Sequence, residues 1–360
     1  MTSDHERTRP IAHGGDAYGT HRVVDRPRGL PQQALRLDND FSRIFGGEVL
    51  LAVETLNIDA ASFTQMEQAA DPAGGSVENQ VAHTILRTVE ERGKQHNPTT
   101  GSGGMLLGRV IQIADGRNPE PLAVGDRVAT LVSLTLTPLR IDRVRAVRRP
   151  SAQVDVDGEA VFFASGAYAK LPADLPERLA LAALDVAGAA PQVARLVKGR
   201  DVVVVLGAGG KSGILCAVEA RRSGGPGACI VGVEANPRAA DDLRALGTCD
   251  AVLVADARDP VGLRQAVLQA TRGREADVTF SCVNVPDAEP AAILATRDRG
   301  VVYFFAMSTS FTKAALGAEG VGKDVDLFIG NGFAHGHAEH TLAMLREMPK
   351  LRELFERRYG

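Results

Sequence analysis

In the second half of the chain, apolar residues come in short unbroken runs. They fall at 201–206, 229–234, 251–254, 278–282, 301–305 and 325–329. Unbroken runs, rather than alternation, suit strands buried on both faces. The stretches near 211–222, 237–246, 260–272 and 287–296 between them are helix-compatible. Pro237 and Pro260 stand where a first helical turn begins, and Asn236 and Asp259 precede them as N-caps. Strands alternating with helices predict a doubly wound parallel sheet.

The first half has a different pattern. "EVLLAVETLNID" (48–59) and "MLLGRVIQIAD" (105–115) are rich in β-branched residues with partial alternation, which predicts strands. "LAVGDRVATLVSL" (122–134) puts a Gly-Asp turn between apolar segments. This predicts a β-rich domain with few helices. The chain turns polar and helix-prone near 66–93, with a surface loop at 68–80. "LALAALDVAGAAPQVARLV" (179–197) is expected to be a helical connector broken at Pro191, and the C-terminal segment is amphipathic and helical. Residues 1–17 are polar and are expected to form a disordered tail.

A chain of 360 residues is long enough for two cores. The formal net charge of −3 gives no support for nucleic-acid binding, and no apolar run is long enough to span a bilayer. The polar start has no signal-peptide core. Cys216, Cys229, Cys249 and Cys282 form no C-x-x-C pair, and three of them lie in apolar runs. A reduced, cytoplasmic protein without structural zinc is therefore expected.

The chemistry is concentrated in "VVVVLGAGGKSGILC" (202–216). Gly210-Lys211-Ser212 matches the end of a triphosphate-binding P-loop, but that motif needs a glycine where Val205 stands. The alternative is a dinucleotide fingerprint, G-x-G-x-x-G at a strand-to-helix turn. Gly207 would make the turn and Gly209 would let the backbone approach a pyrophosphate. The third position is Ser212, with Gly213 just after it, so the close strand–helix contact is met by a small residue or by a shift of one. "ACIVGVEAN" (228–236) then ends a strand with Glu234. A carboxylate there can accept both ribose hydroxyls and would repel a 2′-phosphate, so NAD is the expected cofactor. Gly207, Gly209, Gly210, Lys211, Ser212 and Glu234 are the candidate cofactor contacts. Asn284, ending the fourth strand, joins them at the nicotinamide ribose.

A β-rich front half, the turn "GDRV" and a late dinucleotide domain resemble the medium-chain dehydrogenase/reductase superfamily. The resemblance implies a GroES-like catalytic domain at 18–183 and a Rossmann domain at 184–332, with 333–360 folding back on the first. Asp59 takes the place of that superfamily's first catalytic zinc cysteine and Gly104 the place of its zinc histidine. No metal is therefore expected. The run "HGHAEH" (335–340) also lacks the H-E-x-x-H zinc pattern.

A closer resemblance rests on longer polar strings. These include "YGTHRV" (18–23), "TLNIDAASFTQ" (55–65), "ERGKQHNPTTGSGGM" (91–105), "LDVAGAAPQVARLVK" (184–198), "CVNVP" (282–286) and "GAEGVGKDVDLFIGNG" (317–332). They resemble the L-erythro-3,5-diaminohexanoate dehydrogenase family of lysine fermentation. The resemblance implies NAD-dependent oxidative deamination at C3, giving 5-amino-3-oxohexanoate and ammonia. Such chemistry needs a base to neutralise the reacting ammonium, an activated water, and groups that hold the second ammonium and the carboxylate.

The candidates for those roles follow from residue type and position. Asp59 could bind an ammonium or act as base, or simply cap a turn; Ser62 could relay a proton or cap a helix. Lys94, in the glycine- and hydroxyl-rich "GKQHNPTTGSGG", could be a base of lowered pKa or a solvated surface lysine. His96 lies two residues on and titrates near neutrality. Glu319, Lys323 and Asp324 stand among glycines in "GAEGVGKD", expected as a loop facing the crevice, with Glu319 catalytic and the other two gripping a diamino acid. Ser308 follows the fifth strand and could contact substrate. Two other readings stand beside this one: a zinc-free alcohol or quinone oxidoreductase using NADPH, and a non-catalytic dinucleotide-binding protein. The apolar "VDLFIGN" (325–331) would be an exposed edge if left unpaired, so a homo-oligomer is expected.

Overall fold

The structure is a computed structural model that describes residues 8–97, 101–114, 122–306 and 308–359. The chain divides into two compact units, with the border between Asp185 and Val186. The first holds strands β1 (Ile11–Ala12), β2 (Ile44–Phe45), β3 (Glu48–Asn57), β4 (Met105–Ile113), β5 (Arg127–Thr130), β6 (Leu139–Arg148), β7 (Gln153–Phe163) and β8 (Tyr168–Lys170). Its helices are α1 (Ala60–Gln68), α2 (Val77–Arg92) and α3 (Glu177–Leu184). Six of the strands form one antiparallel sheet in the order β6-β7-β3-β4-β5-β8. The long central strands carry Leu51, Val53, Leu56, Val110 and Val156 into a core closed by the Val81, Ile85 and Val89 stripe of α2. Four-residue spacing puts those three on one helix face. Ser76 caps the start of α2, so the expected surface loop at 68–80 gives way to helix from Val77.

The polar start is more ordered than its composition suggests. β1 pairs with β2, and the Arg9 backbone N–H donates to Gln112 Oε1 at 2.7 Å. Its guanidinium reaches the buried Glu159 at 3.0 Å. Residues 8–17 are therefore not a free tail, because Arg9, together with Arg140, neutralises a carboxylate that could not stay buried alone. Residues 1–7 lie outside the described residues.

The second unit opens with α4 (Ala189–Leu196) and continues as β9 (Val202–Leu206), α5 (Lys211–Gly224), β10 (Cys229–Glu234), α6 (Pro237–Leu246), β11 (Ala251–Val254), α7 (Pro260–Ala270), β12 (Ala276–Ser281), α8 (Glu289–Ala295), β13 (Thr296–Phe304), α9 (Phe311–Gly320) and β14 (Asp326–Ile329). All six strands are parallel, in the order β11-β10-β9-β12-β13-β14. The chain starts in the middle and winds outward in both directions, as a doubly wound sheet does. Val202–Leu206 is fully buried, as the central strand of such a sheet must be. Pro191 does not break the connector. It sits in the first turn of α4, where its missing N–H costs nothing, and the break falls before Ala189.

The last two helices are α10 (His337–Glu347) and α11 (Pro349–Tyr359). They pack with the second unit, which runs from Val186 to Arg358. His340 Nε2 meets Glu219 Oε2 at 2.9 Å, Arg222 meets Glu347 at 2.8 Å, and Thr341 Oγ1 donates to the Ala187 carbonyl at 3.1 Å. Leu342, Leu345, Leu351 and Phe355 are buried, so apolar burial and matched charge both hold the pair there.

Candidate functional site

The second unit presents a site at the carboxyl ends of its strands. After Leu206 the chain turns at Gly207, whose φ of +70° lies in the left-handed region. A Cβ on Gly209 would stand 2.7 Å from both Glu234 Oε2 and Ala239 Cβ. A Cβ on Gly213 would stand 2.1 Å from the Gly207 carbonyl oxygen. The close strand–helix approach thus falls on Gly213. The fingerprint is met by the shift of one, and Ser212 lies in the first turn of α5. Gly210 caps α5 with no side-chain hydrogen bond. The first N–H groups of that helix, from Lys211 and Ser212 onward, form the anion-binding end that a pyrophosphate needs.

Glu234 ends β10 as expected. Its Oε2 accepts from the Gly209 N–H and its Oε1 from the Asn236 N–H, both at 2.9 Å. The carboxylate is therefore fixed beside the glycine turn, where an adenosine ribose would lie. The structure adds one residue that sequence reasoning missed. Arg358, in α11, donates from Nη1 to the Gly209 carbonyl at 2.5 Å, while its guanidinium is held by Asp242. No local pattern links residues so far apart.

On the other side of β9, the connections after β12 and β13 carry Asn284 and Ser308. Asn284 is exposed just beyond β12. Ser308 Oγ donates to the Val283 carbonyl at 3.2 Å, tying the two connections together. Both residues are at the carboxyl edge, on the side expected for a nicotinamide.

Glu319, Lys323 and Asp324 are not at this edge. "FTKAALGAEG" is helix α9, and Glu319 is exposed in its last turn. A helix following a parallel strand runs back to the opposite edge of the sheet, so its C-terminus lies away from the crevice. Lys323 Nζ donates to Glu275 Oε2 at 2.7 Å and to the Thr296 carbonyl at 2.8 Å, at the starts of β12 and β13. The Asp324 N–H donates to Asp298 Oδ1, and its carbonyl accepts from the Arg299 N–H. The Lys323 ammonium and the Asp324 backbone thus tie together the far edge of the sheet. The crevice roles expected for Glu319, Lys323 and Asp324 are thereby corrected.

The first unit brings three side chains together beyond β3. Asp59 is the N-cap of α1, with Oδ1 accepting from the Ser62 N–H at 2.9 Å. Ser62 Oγ donates to Asp59 Oδ2 at 2.5 Å and accepts from Asn97 Nδ2 at 2.8 Å. Asn97 also donates to Gln65 Oε1 at 3.0 Å. Ser62 and Asn97 are buried and Asp59 is half-buried, so the relay ends in one accessible carboxylate. Asn97 was not foreseen, because its amide pairs with residues a helix away in sequence. Gly104 lies against this turn, and a Cβ there would stand 2.1 Å from the Asn57 carbonyl oxygen. No side chain of any kind fits at that position.

His96 Nδ1 shares a 2.6 Å hydrogen bond with Thr135 Oγ1. Burial, then the nearby charges of Lys94 and Arg92, lower its pKa and favour a neutral ring. Lys94 follows the reading of a desolvated lysine of lowered pKa and not that of a solvated surface lysine. It is neither solvated nor in an open loop, but fully buried just after the Gly93 cap, with Nζ donating to the Pro31 carbonyl at 2.8 Å. Burial, helped by Arg92 and opposed by Asp25, pushes its pKa down to about 8. A 780 Å³ groove elsewhere in this unit is lined by Glu54, Arg145, Arg148, Asp155, Asp157 and Glu177. It gathers acids and arginines that pair with one another or with Arg127, and so is a weaker candidate.

An antiparallel β-rich unit followed by a doubly wound unit with a glycine turn defines the class. This is the two-domain fold of the medium-chain dehydrogenase/reductase enzymes. Solved structures agree on the fold: the CurK enoyl reductase matches with a TM-score of 0.54 at 16% identity, covering 88% of this chain and 82% of that one. A mycobacterial structure complexed with NADPH matches with a TM-score of 0.53 at 18% identity, covering 86% and 79%.

Sequence comparison is more specific. The family model for the N-terminal domain of L-erythro-3,5-diaminohexanoate dehydrogenase matches residues 21–172. An L-erythro-3,5-diaminohexanoate dehydrogenase of Acetoanaerobium sticklandii is 50% identical over 346 residues, 96% of this chain and 99% of that protein. One from Fusobacterium nucleatum is 49% identical over the same shares. The chain belongs to the L-erythro-3,5-diaminohexanoate dehydrogenase family, and it is an oxidoreductase.

Proposed function

We propose that this enzyme carries out NAD-dependent oxidative deamination of L-erythro-3,5-diaminohexanoate, giving 5-amino-3-oxohexanoate and ammonia in lysine degradation. The observation that carries the reading is 50% identity across 96% of the chain to a dehydrogenase of that name. The glycine turn, the open start of α5 and Glu234 form a cradle that fits a dinucleotide. Bound there, the oxidised nicotinamide would take a hydride from C3 and leave an iminium for water to hydrolyse. Glu234 supports NAD over NADP, since a fixed carboxylate beside Gly209 would oppose a 2′-phosphate.

The chain's own residues supply the rest. The C3 ammonium must lose a proton before its nitrogen can stabilise the iminium. Asp59 is the proposed acceptor, with Ser62 and Asn97 holding its carboxylate. His96, held at Nδ1 by Thr135, can turn its other ring nitrogen to the substrate. Ser308 and Asn284 serve the nicotinamide side. The reading also includes a homo-oligomer formed along β14. Phe328 and Ile329 are 44% and 67% exposed on this edge strand, and an exposed apolar edge is a template for pairing.

The test follows NADH absorbance with purified protein, NAD and the diamino acid, with lysine and secondary alcohols as controls. NADH formed only with the diamino acid is the expected result. Cofactor binding without turnover on the diamino acid refutes the substrate assignment. Turnover of alcohols instead moves the protein to the zinc-free alcohol reductases.

A further inference from the structure

Glu289 is a buried carboxylate at the carboxyl edge of the second unit's sheet. It is 3% exposed, at the start of α8. Its Oε1 accepts from the Ser310 N–H at 2.6 Å. Its Oε2 is buried and has no hydrogen-bond partner among the described residues. Ser310 caps α9, so the carboxylate also faces the positive end of that helix. A buried anion with one unsatisfied oxygen is costly, and such a group stays only where its surroundings need it.

The strand order shows what it controls. Glu234 marks the adenosine ribose over β10, and the glycine turn marks the pyrophosphate over β9. In the order β11-β10-β9-β12-β13-β14, the other half of a dinucleotide must then extend over β12 and β13. The connections after those two strands carry Asn284 and Ser308. Among the described residues, three side-chain links join these connections and the first turns of the helices that follow them: Ser308 to the Val283 carbonyl, Lys313 to Asp287 at 2.5 Å, and Ser310 to Glu289. The first is between neutral groups and the second is exposed. Of these three, the Glu289 link alone is both charged and buried, which makes it the firmest.

We propose that Glu289 is a positioning residue for the nicotinamide half of the cofactor: through the Ser310 N–H it holds the connection after β13 against the connection after β12. The inference rests on the dinucleotide reading above. It gives Glu289 no contact with the reacting atoms. Its effect is transmitted through the placement of Ser308 and Asn284, and it leaves the adenosine half untouched.

Titrating NADH and ADP into full-length wild type, Glu289→Ala and Glu289→Gln separates the two halves. Glu289→Ala should weaken NADH about tenfold, the loss of one charge-assisted bond, and leave ADP within about twofold. Glu289→Gln, whose amide oxygen can still accept from Ser310, should bind NADH within about threefold of wild type. Unchanged NADH affinity in Glu289→Ala overturns the inference, and so does an equal loss for NADH and ADP. Should the alanine variant not fold, Glu289→Asp replaces it. It keeps the charge but is one methylene too short for Ser310, so the same selective loss is expected and wild-type NADH binding overturns the inference. A wild type that binds no NADH overturns the dinucleotide reading itself, which is a distinct failure.

Discussion

Replacing Lys94 with methionine should favour the folded state more at pH 7 than at pH 10. Lys94 is fully buried, and its pKa falls from 10.5 to about 8, chiefly through burial. In the unfolded chain the same lysine titrates near 10.5. Below pH 8 it is protonated in both states, so the folded protein carries the whole cost of a buried ammonium. Between these two values the unfolded state binds more protons, and wild-type stability rises with pH through that window. A drop from 10.5 to about 8 corresponds to about 3 kcal/mol.

Methionine has nearly the same length and no charge, so it removes this term at every pH. It also removes the bond to the Pro31 carbonyl, at a pH-independent cost of about 1–2 kcal/mol. The difference between the two pH values isolates the charge. Relative to wild type, the variant should be better by about 2–3 kcal/mol at pH 7 than at pH 10. Urea denaturation followed by circular dichroism at both pH values measures it. A variant effect that is equal at pH 7 and pH 10 refutes the reasoning, since it would mean that Lys94 carries no burial penalty.

Three further outcomes follow from the site. Glu234→Gln should raise NADPH affinity relative to NADH about tenfold by removing a fixed negative charge, read by nucleotide fluorescence; an unchanged ratio refutes its role as the ribose acid. Gly213→Ala should lower stability by about 1–3 kcal/mol and weaken NADH, because its Cβ would meet the Gly207 carbonyl at 2.1 Å. Gly210→Ala, whose nearest neighbour would be 3.5 Å away, should be tolerated, and thermal melts of the pair decide. Glu319→Gln and Lys323→Ala should leave kcat/KM within about twofold. Lys323→Ala should cost about 1–2 kcal/mol of stability through its bonds to Glu275 and Thr296, and a steady-state loss of activity in a well-folded variant would return these residues to the crevice.

The parallel unit was legible because its central strands are buried on both faces. "VVVVL" and "CIVGVE" show as unbroken apolar runs, and Asn236-Pro237 and Asp259-Pro260 punctuate the helices in the positions where they cap them. Arrangements made by distant residues were not legible. Arg358 reaches Gly209 across most of the unit, and Asn97 reaches Ser62 from another loop. Asp59 and Ser62 are three apart and cap one helix, so that part of the site could be read locally.

Two placements that composition could not decide share a cause, which is that local composition does not report chain direction. Glycines at 317, 320 and 322 made "GAEGVGKD" look like a crevice loop, yet the preceding residues continue α9 through Gly320 and carry the charges to the opposite edge. Likewise, the composition of "GKQHNPTTGSGG" leaves open whether Lys94 is a base of lowered pKa or a solvated surface lysine. Gly93 adopts a φ of +65°, and a Cβ there would stand 2.0 Å from the Leu37 carbonyl oxygen. Only glycine permits that approach, and it turns the chain under residues 31–37. Lys94 is thereby buried, with the Pro31 carbonyl as its hydrogen-bond acceptor. In both cases one helix end decides where the charge goes: α9 delivers Lys323 to acids that stabilise it, and α2 delivers Lys94 to a site that lowers its pKa. A charged residue next to a helix terminus is therefore best assigned by following the helix to its end, since a lysine after α9 is structural and a lysine after α2 is buried with a lowered pKa.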